Sequence, residues 1–219
     1  MENTNSISIT KRDYKLSILA GFLIGLLMLP ILKAAKSDLY EILRLTILPF
    51  FVIATPLGLR IAFYLGQKIS IIWQIAKFGL IGVLNTLVDL GVLAFITFFF
   101  HEYFYIESKS AIILGITFYS LYKAFSFIIA NVNSYYWNKY WTFEKNDSPK
   151  KQTEFLQFFF VSVIGFTINV FVASIIFKKF LVSVTGLTTD QLGLIGAAFG
   201  SIAGLAWNFI GYKLWVFKK

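Results

Sequence analysis

Two charged residues lie deep inside apolar runs, Asp89 in TLVDLGVLAF and Lys123 in YSLYKAFSFI. A charge at the centre of a bilayer costs ~2.5–3.5 kcal/mol on insertion scales, so such residues pair with one another or mark a path for something polar. Counted from the outer ends of their helices, the two lie about 11 and about 14 residues deep, a difference of roughly 5 Å at ~1.5 Å per residue. They are therefore within side-chain reach of each other. Two readings stay open: an ion pair that fixes a helical hairpin, and a polar route or site for a charged headgroup.

Other polar residues fall on the same helical faces. Gly82, Asn85, Thr86 and Asp89 are spaced i, i+3, i+4, i+7, which is one face of a helix. Ser120, Lys123, Asn131, Ser134 and Asn138 form a second stripe, and Ser162, Gly165, Asn169 and Ala173 a third. The fourth is Gly193, Gly196, Gly200, Gly204, Asn208 and Gly211. Small residues at every fourth position let helices approach closely, so this stripe is read first as packing. Gly21 and Gly25 make a weaker signal of the same kind. No set of nucleophile, base and acid stands out, and the single histidine, His101, lies at a loop edge. Neither catalysis, a metal nor a cofactor is expected.

These faces need elements to hold them, and composition says in which solvent. The chain is 58% hydrophobic and 14% charged, with a mean hydropathy of +0.73. Soluble domains carry about 25% charged residues. The apolar runs reach the ~20 residues that span a bilayer as helix. The expected class is an all-α, polytopic membrane helical bundle of about six spans. These are placed at about 14–36, 40–66, 71–100, 109–138, 154–180 and 191–214, the second interrupted by Pro49 and Pro56. Lys11, Arg12 and Lys15 precede the first run, but no clear small-x-small site follows it, so it reads as a retained helix rather than a cleaved leader. Cysteine is absent, which excludes a disulfide framework and a thiol nucleophile. The net charge of +9 is read as positive-inside lysines and contact with anionic membrane lipid, not as nucleic-acid binding. Lys and Arg accumulate on the side that holds both termini, which places those termini in the cytoplasm and the protein in the cytoplasmic (inner) membrane.

One phrase is written twice. NKYWTFEK and YKLWVFKK both read Lys-x-Trp-x-Phe-x-Lys, with Lys139, Trp141, Phe143 and Lys145 matching Lys213, Trp215, Phe217 and Lys219 at an offset of 74 residues. Singly, these residues read as an aromatic belt with snorkelling lysines. Together they imply a duplicated helical hairpin. Two spans per copy give both copies the same orientation, a parallel repeat. The expected organisation is a four-helix core over 71–219, preceded over 1–70 by a tail and two additional helices.

Four segments carry a resemblance to a known family: KFGLIGVLNTLVDLGV (Lys77–Val92), NSYYWNKYWTF (Asn133–Phe143), FFFVSVIGFTINV (Phe158–Val170) and NFIGYKLWVF (Asn208–Phe217). In order and in their paired aromatic-basic ends, they resemble the GtrA-like family of small four-span membrane proteins. That family also supplies the membrane part of some dolichyl-phosphate mannose synthases. The resemblance implies translocation of polyprenyl-phosphate-linked sugars beside a separately encoded membrane glycosyltransferase. It maps onto Asn85 and Asp89, onto Asn138, Lys139 and Trp141, and onto Asn208, Lys213 and Trp215. On this reading Lys139 and Lys213 attract the phosphate, and Trp141 and Trp215 flank the lipid or the sugar. Asn85, Asp89, Lys123, Asn131 and Asn169 offer polar partners along the crossing. Where the family often has Arg, this chain has Lys139, a point charge rather than a fork. A homo-oligomer is an admissible assembly. The alternatives are a non-transporting scaffold for a glycosyltransferase and a small-molecule or ion exporter with Asp89 as the carrier of charge.

Overall fold

The computed structural model describes residues 8–113, 115–145, 151–181 and 189–218. Among them are seven α-helices: α1 Lys11–Ala35, α2 Ser37–Leu43, α3 Ile47–Gly66, α4 Ser70–Phe104, α5 Phe118–Trp137, α6 Lys151–Ile175 and α7 Thr189–Gly211. Among the described residues, five helical segments, Lys11–Ala35, Ile47–Gly66, Ser70–Phe104, Lys151–Lys178 and Leu192–Val216, are long and apolar enough to cross a membrane. Large apolar side chains such as Phe50, Phe95, Phe160 and Phe171 stand exposed, as lipid-facing residues must. The protein is an all-α, polytopic integral membrane protein.

The boundaries follow local chemistry. At the start of α1, Thr10 and Asp13 form a reciprocal capping box, which satisfies backbone N–H groups left open by the first turn. The second expected span divides into α2 and α3, with Arg44–Thr46 between them. Pro49 then falls in the first turn of α3, where its missing N–H has no helical partner to lose. The fourth expected span needs a correction. Its first residues form a small antiparallel hairpin, Ala111–Ile113 with Ile116–Thr117, and the helix starts only at Phe118. Thr117 supplies the N-cap by accepting from the Ser120 N–H. The remaining helix, α5, is 20 residues long and includes Lys123, Asn131, Asn133 and several tyrosines, which keeps it out of the five most apolar segments.

The helices fall into two compact units, residues 1–142 and 143–219. In the first, α1 packs on α3 and α4, and α4 on α3 and α5. The core there is built from Ala20, Ile24, Leu59, Trp73, Ile81, Leu84, Leu87 and Trp141. Gly21 and Gly25 are the contact points of α1: a Cβ at Gly25 would lie 2.8 Å from the Leu48 Cα, and one at Gly21 would collide with the Phe51 carbonyl and the Thr55 hydroxyl. Thr55 also donates to the Ser17 carbonyl at 2.8 Å. Gly21→Val is expected to separate α1 from α3 and lower the apparent Tm in detergent by several degrees, while Gly58→Ala, with open space at its Cβ, is expected to leave it unchanged. A thermal melt of the three proteins checks this.

In the second unit, α6 and α7 form a close hairpin. Along α7, Gly196, Gly200, Gly204 and Gly211 meet Ala173, Asn169, Gly165 and Val161 of α6. The glycine stripe is therefore a packing seam, as its spacing suggests. Gly193 has no neighbour at its Cβ position among the described residues.

Each unit's hairpin helix runs into a π turn: Asn138–Thr142 after α5 and Tyr212–Val216 after α7. The 74-residue repeat of the sequence is thus also a repeat of local backbone form. A third π turn, Ile176–Leu181, follows α6.

Candidate functional site

The Asp89 carboxylate and the Lys123 ammonium form an ion pair between α4 and α5. Ser126, one turn further along α5, donates to the other carboxylate oxygen at 2.6 Å. The pair's cost in apolar surroundings is offset because both carboxylate oxygens have donors. The site is not sealed: the Lys123 side chain is 40% exposed and that of Asp89 19%. Around it, Asn85 lies one turn before Asp89, and its Oδ1 is enclosed with no hydrogen-bond partner among the described residues. Asn131 is buried and donates to the Phe127 carbonyl. Ser120, expected on the same stripe, is instead exposed in the first turn of α5, where its backbone N–H donates to the Thr117 cap.

A second charged site lies at the other end of this unit, and the sequence reading of functional residues did not contain it. Lys77 Nζ sits 2.6 Å from Asp13 Oδ1, with the two side chains 1% and 6% exposed. The same carboxylate oxygen accepts from the Trp141 indole N–H at 2.9 Å. The ammonium lies 4.6 Å from the centre of the Trp73 ring and 3.4 Å from the Trp141 carbonyl. Beside it, Arg12 donates to the Tyr140 carbonyl at 2.7 Å. So the starts of α1 and α4 and the π turn after α5 are tied by charge, indole N–H and ring face together. The signals for this cluster were the Thr10-x-x-Asp13 capping box and the Trp73-xxx-Lys77 spacing. Twelve residues separate Lys77 from Asp89, so ~18 Å of helix divides the two charged sites.

The residues of the doubled phrase differ between copies. Trp141 is 2% exposed and Trp215 53%. Lys139 is buried, donates to the Tyr135 hydroxyl and lies over the Tyr135 and Tyr140 rings. Lys213 lies over Phe209 and stays partly exposed. Each lysine thus faces the ring four residues before it, Tyr135 or Phe209. Asn138 is buried, bonded through its amide N–H to the Ser134 carbonyl and hydroxyl, and its Oδ1 has no partner among the described residues.

In the second unit, Asn208 lies against Gly165, with its Oδ1 likewise unpartnered. Asn169 reaches Ser201 at 3.4 Å. Deeper in that unit, Tyr212 stacks on Phe158 at 4.1 Å and shares a 2.6 Å hydrogen bond with Ser162. No group of three or more metal-ligating side chains is present among the described residues.

Comparison with curated proteins and with solved structures gives no match. Comparison with protein families gives one, the GtrA/DPMS transmembrane domain, over residues 77–217. The match starts at Lys77, within α4, and takes in the rest of α4, then α5, α6, α7 and both repeated π turns, nearly two thirds of the chain. The chain is a member of the GtrA/DPMS transmembrane-domain family.

Proposed function

We propose that this protein moves a polyprenyl-phosphate-linked sugar across the cytoplasmic membrane for the synthesis of cell-surface polysaccharide or glycoconjugate. Membership of the family supports the class of substrate. The observation that carries the reading is the Asp89–Lys123–Ser126 cluster: charged, ~18 Å along α4 from Lys77, and open at its edge. A polar sugar crossing hydrocarbon needs hydrogen-bonding groups at that depth, and an ion pair with exposed edges supplies both donors and acceptors. Asn85 Oδ1, one turn away and without a hydrogen-bond partner among the described residues, adds an acceptor. Lys213 and Trp215, at the end of α7, remain accessible for a phosphate and a lipid or sugar face. Lys139 and Trp141 contribute from within the packed interior. Both termini are cytoplasmic on this reading, a membrane glycosyltransferase supplies or consumes the substrate, and transport is driven by that chemistry.

Scrambling of a short-chain polyprenyl-phosphate sugar in proteoliposomes tests it. Wild type is expected to accelerate movement. Asp89→Asn and Lys123→Met, if they melt as folded proteins, are expected to reduce the rate by about tenfold or more, since each leaves its partner unpaired at depth. Movement lost in neither variant removes the polar route from the mechanism. No movement from folded wild type, across several lipid-linked sugars, favours the second reading, a scaffold that holds a glycosyltransferase. The completeness of the Asp89 pairing, with a donor on each carboxylate oxygen, is the observation on that side.

A further inference from the structure

The α4–α5 hairpin is closed by charged side chains at a level where the α6–α7 hairpin is closed by backbone. Asn85 matches Asn169 at an offset of 84 residues, and the doubled phrase sets an offset of 74 for the second helix of each hairpin. The same offsets carry Asp89 to Ala173, Lys123 to Ala197 and Ser126 to Gly200. In α6–α7 these places are small and in contact: a Cβ at Gly200 would lie 2.8 Å from the Ala173 Cβ and would collide with the Asn169 carbonyl oxygen. A seam of that kind has one arrangement, because close-packed backbone does not deform by degrees. A clasp of side chains can part.

The clasp is built unequally. Ser126 is 0% exposed, whereas the Lys123 side chain, on a flexible four-carbon stem, already reaches the open edge of the site. The two donors take different carboxylate oxygens, Ser126 the Oδ1 and Lys123 the Oδ2. The Ser126 hydroxyl has one proton and two acceptors within reach, Asp89 Oδ1 at 2.6 Å and the Lys123 carbonyl of its own helix at 3.0 Å. The carboxylate is nearer and charged, so it takes the proton. When Lys123 withdraws, Asp89 therefore keeps a donor. Without that donor the carboxylate would keep its desolvation and lose every partner at once.

We propose that Ser126 is a positioning residue that holds Asp89 to α5 while Lys123 leaves it, so that Lys123 is the moving member of the pair. What Lys123 leaves for is a polar group of the cargo, and in that respect the inference rests on the translocation reading. The opening itself does not.

Acetylation of full-length protein in detergent by acetic anhydride at fixed pH, read lysine by lysine by mass spectrometry, measures how often each amine is free. In wild type, Lys123 is expected to react more slowly than the partly exposed Lys213 and measurably faster than Lys77, whose side chain is 1% exposed. Ser126→Ala is expected to slow Lys123 by about tenfold, the effect of losing one hydrogen bond to a charged group, and to leave Lys213 unchanged. Ser126→Thr keeps the hydroxyl and is expected to restore most of the rate. Ser126→Cys, a weaker donor of similar size, serves where the Thr methyl does not fit and is expected to fall between Ala and Ser. Asp89→Asn is expected to raise the rate above wild type, since no anion then holds the amine. An unchanged Lys123 rate in Ser126→Ala overturns the proposal. So does a faster one, which would make Ser126 a brace of the closed pair, and so does a wild-type Lys123 as inert as Lys77. The labelling needs no cargo. If it behaves as expected while wild-type proteoliposomes move no lipid-linked sugar, the clasp stands and the translocation reading falls.

Discussion

Lys77→Met is expected to be the most damaging single substitution in the first unit. It removes the cation from a carboxylate that is 5% exposed and leaves Asp13 with the Trp141 indole N–H as its partner from another helix. Breaking one side of a buried pair costs about 3–5 kcal/mol, because the remaining charge keeps its desolvation and loses its attraction. That is a large share of the ~5–15 kcal/mol that holds a typical domain folded. The sign reverses when both charges go. Asp13→Asn with Lys77→Met keeps an acceptor for the indole N–H and buries no charge, so most of the loss is expected to return. Melting curves of wild type, the single and the double variant measure the coupling directly. A single variant as stable as wild type would mean that the pair is not desolvated in the membrane, and the account of this cluster would fail.

The charged pair at depth was legible in the sequence, while the pair at the helix end was not, and the difference is physical. Asp89 and Lys123 each interrupt a long apolar run, where a charge has few explanations. Lys77 and Asp13 stand near helix ends, where charges are ordinary and solvated ones are common. Only the packing of α1 against α4 makes them a buried pair, and α1 is separated from α4 by two helices in the sequence. The glycine stripe of α7 was readable because its spacing of four has one geometric meaning. The hairpin at 111–117 was hidden by the apolar and β-branched residues it shares with a membrane helix. The repeated Lys-x-Trp-x-Phe phrase marked the right places, but not the π form of the backbone. Nor did it show that Trp141 would turn inward and Trp215 outward, since an indole suits a belt and a core equally well.

The second large effect is expected at Gly204. A Cβ there would lie 2.7 Å from the Gly165 carbonyl oxygen and 3.1 Å from the Asn169 Cβ. The near atom is backbone, so no rotamer can move it aside. Turns before and after it are equally close, with Gly196 facing the Ala173 carbonyl at 2.9 Å and Gly211 facing Val161. The hairpin cannot open at one point without separating along its length. Gly204→Leu is therefore expected to cost about 3 kcal/mol or more, at or above the top of the range for overpacked cores, and to release Ser162 from Tyr212. Gly193→Leu, on the same stripe but with nothing within reach of its Cβ among the described residues, is expected to melt close to wild type. The comparison separates two meanings of a glycine stripe. If backbone contact sets the effect, the two variants differ greatly. If glycine mattered only for helix flexibility, both would shift alike, because leucine is the better helix former at either position. Proteolysis of the α6–α7 connection, followed with temperature for both variants, reads this in the unit itself.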